Sequence, residues 1–210
     1  RGVCQQIMSE QYFKSSPTSQ HSLHQIQDGV AGLTLSFQTD NGVFSKQRMD
    51  YGSKVLVEAF ADAVPVGSYQ IVELGSGYGP VTISLAKLYP QAQVTGVEIN
   101  ERAYQLAQAN SQLNRVENTA YQLADAGQWQ ASQAPDFVVT NPPIRAGKQV
   151  IQQFVRSAQA NLRPGGELWL VIQKKQGAPS METFMEEVFG NVELVTRDKG
   201  YWILKSKSQY

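Results

Sequence analysis

The chain has 210 residues, 41% of them hydrophobic and 17% charged, which allows a full core and is ordinary for a globular protein. Lys plus Arg number 18 and Asp plus Glu 18, so the net charge is zero and lacks the basic excess of many nucleic-acid binders. No apolar run approaches the ~20 residues of a membrane span, and no basic leader with an apolar stretch points to secretion. Cys4 is the only cysteine, which excludes an internal disulfide and fits a reducing, cytoplasmic setting. With His21 and His24 the only histidines, the common zinc sites cannot be built and no metal is expected.

Residues 1–7 read poorly as a natural start, whereas Met8-Ser9-Glu10-Gln11 reads well as one. The first seven, Cys4 among them, are expected to be foreign and are set aside. Residues 12–24 are polar and read as an exposed lead-in. Leu33, Leu35 and Phe37 then alternate with Thr34, Ser36 and Gln38, the period of a half-buried strand. Gly29 and Asn41-Gly42 are turn signals on either side, so a small β-element is expected over 25–45.

From residue 50 strands alternate with helices. Val55, Leu56, Ala59, Phe60 and Ala63 have helical spacing over 53–64, closed by Pro65-Val66-Gly67. Strands are predicted at 71–74, 94–97, 119–123, 137–140 and 168–172. Helices are predicted at 80–88, 101–113 (with Asn100 as N-cap), 148–162 and 180–189. Two last strands, 192–195 and 201–204, flank the charged turn Arg197-Asp198-Lys199-Gly200 and must be antiparallel to each other. Such alternation predicts an α/β fold with a mostly parallel sheet covered on both faces, as one domain over 8–205.

The first strand of this part runs into Glu73-Leu74-Gly75-Ser76-Gly77-Tyr78-Gly79-Pro80. Glycines at alternate positions let the backbone turn tightly and approach a ligand closely. A ligand-free strand–helix turn would read the same way. An NAD loop would need Gly-x-Gly-x-x-Gly or Ala, and Pro80 occupies the last position, which argues against a dinucleotide. Glu98 ends the second strand, 19 residues beyond Gly79, where a carboxylate can accept from both ribose hydroxyls; by itself it would be a solvated strand-end acid. Asp125 ends the third strand and can accept from an adenine amine, or merely serve a turn.

This order of glycine loop, ribose acid and adenine acid resembles the class I S-adenosylmethionine-dependent methyltransferases over residues 50–205. The resemblance implies a Rossmann-like seven-stranded sheet with an antiparallel last strand. It implies S-adenosylmethionine held by Glu73, Gly75, Ser76, Gly77, Gly79, Glu98, Ile99, Ala124, Asp125 and Asn141.

Asn141-Pro142-Pro143-Ile144 directly follows the fourth strand. Prolines there could simply end the ladder. Yet Asn141 and Pro142 each precede a proline and are pushed to extended backbone, and the prolines have fixed φ and no N–H. The stiff loop projects two acceptors, the Asn141 side-chain oxygen and the Pro142 carbonyl, suited to the two N–H donors of an exocyclic amine. Asn141, Pro142 and Pro143 are therefore the candidate catalytic residues. The tetrapeptide resembles the amino-group methyltransferase motif, which usually ends in an aromatic that stacks on a flipped base. Ile144 departs from it, and Phe44 and Tyr51 are the candidates to stack instead.

Asp40-Asn41-Gly42-Val43-Phe44-Ser45-Lys46, the loop from Asn141 to Lys148, and the stretch from Gly165 to Pro179 are similar to small single-domain relatives of the RsmC family of ribosomal RNA guanine-N2 methyltransferases. The resemblance covers 8–205 and implies an RNA partner, methylated on a guanine exocyclic amine, with Phe44, Ser45 and Lys46 closing over the cofactor. Phe44 could equally be core packing of the β-element. Long RsmC proteins have a further amino-terminal domain that helps engage substrate.

Lys46, Arg48, Arg145, Lys148, Lys174 and Lys175 would all gather at the sheet edge near the cofactor if the topology holds. There they would grip RNA phosphates, while Ile144 could offer the substrate base only an apolar contact; six unrelated solvated charges would read alike. Three other readings stay open. They are the same chemistry on DNA adenine or a protein glutamine amide, an NAD-dependent oxidoreductase, and a noncatalytic binding module.

Overall fold

The computed structural model describes residues 22–41, 43 and 47–210. The expectations for residues 1–7, most of the polar lead-in, Phe44, Ser45 and Lys46 lie outside the described residues.

The chain opens with a two-stranded antiparallel hairpin, β1 (His24–Val30) and β2 (Leu33–Thr39). Its turn is Ala31-Gly32, both at positive φ (48° and 77°), the two-residue geometry that matches strand twist. Gly29, expected as a turn signal, instead sits inside β1 opposite Thr34. β1 alternates in burial from Ile26 to Val30, but its inward position between them is Asp28, so the apolar pattern is broken.

Seven further strands form one sheet: β3 (Gln70–Leu74), β4 (Gln93–Glu98), β5 (Thr119–Leu123), β6 (Phe137–Thr140), β7 (Glu167–Gln173), β8 (Glu193–Asp198) and β9 (Tyr201–Lys207). Their order is β5-β4-β3-β6-β7-β9-β8, and β9 runs antiparallel to both its neighbours. The helices are α1 (Tyr51–Ala63), α2 (Pro80–Leu88), α3 (Glu101–Leu113), α4 (Lys148–Asn161) and α5 (Ala178–Phe189). The strand order reverses between β3 and β6, so the crevice beyond their carboxyl ends is where an open α/β sheet receives a ligand.

Alternation along the central strands feeds two cores. Ile71, Val139, Trp169 and Val171 face one side with Val55, Phe60 and Ile83. Val72, Val138, Leu168, Leu170 and Ile172 face the other with Phe154, Met181 and Met185. Phe60 is the hub of the first, edge-to-face with Tyr89, Phe137 and Trp169 at 5.5, 5.1 and 5.3 Å. The crossover from β5 to β6 contains no helix; buried Trp129 fills that place, its indole N–H donating to Gln122 at 2.6 Å.

The charged turn after β8 is shorter than the sequence pattern implies. Arg197 and Asp198 stay in the ladder opposite Trp202 and Tyr201, because Arg197 lies over the Trp202 ring at 4.3 Å and Asp198 accepts from the Tyr51 hydroxyl. No helix among the described residues is long and apolar enough to cross a membrane.

Candidate active site

The glycine loop is built by its own backbone. Gly75, Gly77 and Gly79 have φ of 78°, 56° and 99°. Gly75 and Ser76 N–H both donate to the Val97 carbonyl, at 2.9 and 3.0 Å, which folds the loop over the end of β4. A Cβ on Gly79 would come within 3.0 Å of the Tyr121 hydroxyl, so only glycine fits there. A Cβ on Gly77 would meet nothing within 4 Å, so the backbone there faces open space. The hydroxyl of Ser76 is buried without a hydrogen-bond partner among the described residues.

Glu73 lies beneath the loop, 2% exposed. One of its carboxyl oxygens accepts from the Thr82 N–H at 3.0 Å and the Thr82 hydroxyl at 2.6 Å. Gly79 and Pro80 offer α2 no side-chain cap, and Glu73 takes that place from outside the helix. Burial raises the Glu73 carboxyl to about 8, against the lowering by Thr82. Glu98, also buried, accepts from Gly77 N–H at 2.7 Å and Asn100 N–H at 2.8 Å. Burial likewise pushes its carboxyl up, opposed by the backbone donors Asn100, Gly77 and Ile99. Asp125 is exposed, and one of its oxygens accepts from Gly127 N–H at 2.9 Å, a turn bond that leaves the other oxygen outside that bond. Ala124 N–H donates to the Glu98 carbonyl, which joins the ends of β4 and β5.

One strand to the other side, Thr140 at the end of β6 donates its hydroxyl to the Leu74 carbonyl at 2.8 Å, drawing Asn141 toward the glycine loop. The Asn141 amide nitrogen donates to Asp50 at 2.8 Å and to the Ser53 hydroxyl at 2.9 Å. Pro142 is buried, and a 3-10 turn, Ile144–Ala146, follows Pro143. Ile144 is partly buried and packs against the second core. Tyr51 is held by Asp198 and by Tyr201, with the Lys199 ammonium 4.8 Å over its ring.

The cations fall partly together. Lys174, Lys175 and Lys199 line one pocket of about 480 Å³ with Gln173 and Gly200. Arg145 lies in the 3-10 turn after β6, Lys148 begins α4, and Arg48 precedes α1; all are exposed. Lys199 is missing from the sequence-based patch because only the antiparallel return of β9 brings its turn to this edge. Asp50 and Ser53 are also missing, as is Asn110, whose side-chain nitrogen donates to the Tyr78 carbonyl of the glycine loop at 2.9 Å; all three make polar contacts across elements far apart in the chain.

The loop, buried acceptors and amide therefore lie along the carboxyl ends of β5, β4, β3 and β6. The family model of the methyltransferase small domain matches residues 34–205. The chain belongs to that family. It is a class I S-adenosylmethionine-dependent methyltransferase domain related to RsmC.

Among its relatives is YbxB, an uncharacterized protein of Bacillus subtilis, 36% identical over 201 residues, 95% of this chain and 99% of that one. Ribosomal RNA small subunit methyltransferase C of Hahella chejuensis is 34% identical over 145 residues, 67% of this chain and 41% of the relative. The structure of the T. Thermophilus 16S rRNA N2 methyltransferase RsmC, in complex with AdoMet and guanosine, superposes with a TM-score of 0.81 at 28% identity. That match covers 92% of this chain and 52% of the other. The chain thus spans nearly all of YbxB and about half of the two ribosomal RNA methyltransferases.

Proposed function

We propose that the chain methylates the exocyclic amine of a guanine in RNA, with ribosomal RNA as the substrate class. The observation that carries this reading is the approach of two loops at the switch point. The glycine loop with Glu98 lies on one side, and Asn141-Pro142 lies on the other, tied to it by Thr140. The names of the relatives, ribosomal RNA methyltransferases acting at guanine N2 among them, support the acceptor.

The residues present fit the cofactor. Gly77 leaves backbone facing open space, the Ser76 hydroxyl is buried with no partner among the described residues, and the α2 N-terminus adds a positive dipole end. Gly75 to Gly79, Glu98, Ile99, Ala124 and Asp125 would hold it, with Glu98 accepting from the ribose hydroxyls. Glu73 would act by fixing the loop's exit into α2.

S-adenosylmethionine supplies an electrophilic methyl group on a sulfonium, so the acceptor amine needs no strong base. Asn141 and the Pro142 carbonyl accept the two N–H bonds of the amine and turn its lone pair toward the methyl group. A nitrogen–carbon bond forms as the carbon–sulfur bond breaks, and the nitrogen sheds a proton to solvent. The chain's part is in-line positioning and stabilisation of charge growing on nitrogen.

The test is methyl transfer from tritiated cofactor to ribosomal RNA and ribosomal particles. Label is expected in guanine, with Asn141→Ala costing ~2–4 kcal/mol of transition-state stabilisation while cofactor affinity holds. Label on duplex DNA or on a release factor, with none on RNA, would overturn the acceptor. Full activity of Asn141→Ala would reduce Asn141 to a strand terminator.

A further inference from the structure

The side-chain amide of Asn141 has a donor end and an acceptor end, and only one of them suits an amine. Were the nitrogen to face the crevice, donor would meet donor. In solvent the two orientations differ little, so the protein must choose.

Asp50 and Ser53 make the choice. The Asp50 carboxylate can only accept, so the amide end turned to it must be the nitrogen. That bond is 2.8 Å, and the second amide proton goes to the Ser53 hydroxyl at 2.9 Å. Both acceptors are themselves fixed. Asp50 is the N-cap of α1 and accepts from the Ser53 N–H at 3.1 Å, while Ser53 is buried in the first turn. Gly52 between them lets this turn press on β9: a Cβ there would come 2.7 Å from the Tyr201 ring and 3.0 Å from Asp50. With the nitrogen's two protons so placed, the oxygen is left as the acceptor.

We propose that Asp50, assisted by Ser53, is a positioning residue that orients the Asn141 amide so that its oxygen receives the substrate amine. This rests on the reading of Asn141 given above. It also accounts for asparagine at 141: an aspartate there would set carboxylate against carboxylate.

Three variants test the idea. Asp50→Ser keeps an N-cap but is too short to reach Asn141. Asn141→Asp creates the like-charge pair. The exchange Asp50→Asn with Asn141→Asp restores a donor–acceptor pair of reversed sense, since asparagine caps a helix as well as aspartate does and the Ser53 hydroxyl can donate. Each is assayed for kcat and KM on RNA, for S-adenosylhomocysteine affinity by calorimetry, and for Tm. Asp50→Ser and Asn141→Asp are expected to lower kcat roughly tenfold or more with cofactor affinity unchanged. The exchange should recover most of the loss. An exchange protein no more active than Asn141→Asp, or an Asp50→Ser protein with the original kcat, would overturn the proposal.

A readout independent of substrate is the Asn141 amide proton pair in protein carrying nitrogen-15 asparagine, identified by its absence in Asn141→Ala. In Asp50→Ser that pair should shift and exchange faster with solvent; a pair that does not move would overturn the orientation. A pair that moves, in a protein inert toward RNA, would support the orientation and reject the RNA acceptor.

Discussion

The two buried carboxylates, Glu73 and Glu98, have different work. Glu98 holds Gly77 and Asn100 through their N–H groups and is the acceptor proposed for the ribose. Glu98→Ala should therefore weaken S-adenosylhomocysteine binding by about 2–3 kcal/mol, the loss of two hydrogen bonds to a buried carboxyl group. Unchanged affinity by calorimetry would contradict the ribose role. Glu73 has its carboxyl raised from 4.5 to about 8 by burial. The folded protein then keeps a proton that the unfolded chain releases. Stability from this group is fully present below its unfolded value and is lost as pH rises from about 4.5 to about 8. Glu73→Gln keeps an acceptor for Thr82 without the charge, so the decline in Tm across that window should flatten. An identical slope in the variant would show that Glu73 titrates normally.

The hairpin is bound to the main fold by a feature of α3. Asn110 and Asn114 present side-chain amides to β2 as a neighbouring strand would present backbone. Gln38 N–H donates to Asn110 at 2.7 Å, and Ser36 N–H donates to Asn114 at 3.1 Å. The Asn110 nitrogen returns a bond to the Gln38 carbonyl and another to the Tyr78 carbonyl in the glycine loop, each 2.9 Å. One buried side chain thereby ties hairpin, helix and cofactor loop together, and Phe37 adds an edge contact to Tyr78 at 5.6 Å. Asn110→Ala should cost about 2 kcal/mol of stability, from groups left buried without partners, and should weaken cofactor binding as well. Denaturant unfolding and calorimetry check the two effects; a stability loss with cofactor affinity intact would separate the hairpin from the loop.

Across the molecule, charge is uneven despite its zero sum. Lys174, Lys175 and Lys199 share one pocket at the carboxyl edge, and Arg145 and Lys148 stand in the turn and at the start of α4 that follow the neighbouring strand β6. An RNA strand held there should release counterions, so its affinity should fall steeply with salt. Replacing Lys174 and Lys175 together with alanine should lower the slope of log affinity against log salt by about one to two. A slope equal to that of the original chain would place the RNA elsewhere.

Most of the architecture can be read along the chain because it is periodic or local. Strand and helix alternation carries the parallel sheet, three glycines before Pro80 mark the cofactor loop, and acids at two strand ends follow in order. Asn141-Pro142-Pro143 is legible because proline stiffness belongs to the residues themselves. The outer hairpin strand is not legible, since Asp28 takes the inward position between Ile26 and Val30 and breaks the apolar alternation, and Gly29 misleads as a turn. Ile144 can be seen to lack a ring, but not to pack in part against the second core. Only the tertiary structure decides that Glu73 caps α2 from outside the helix, that Lys199 joins the basic edge, and that Asp50 and Ser53 face Asn141 from 91 and 88 residues away. Periodicity and backbone stiffness act within a few residues of sequence, whereas the orientation of a polar side chain depends on partners that only the folded chain brings within 3 Å.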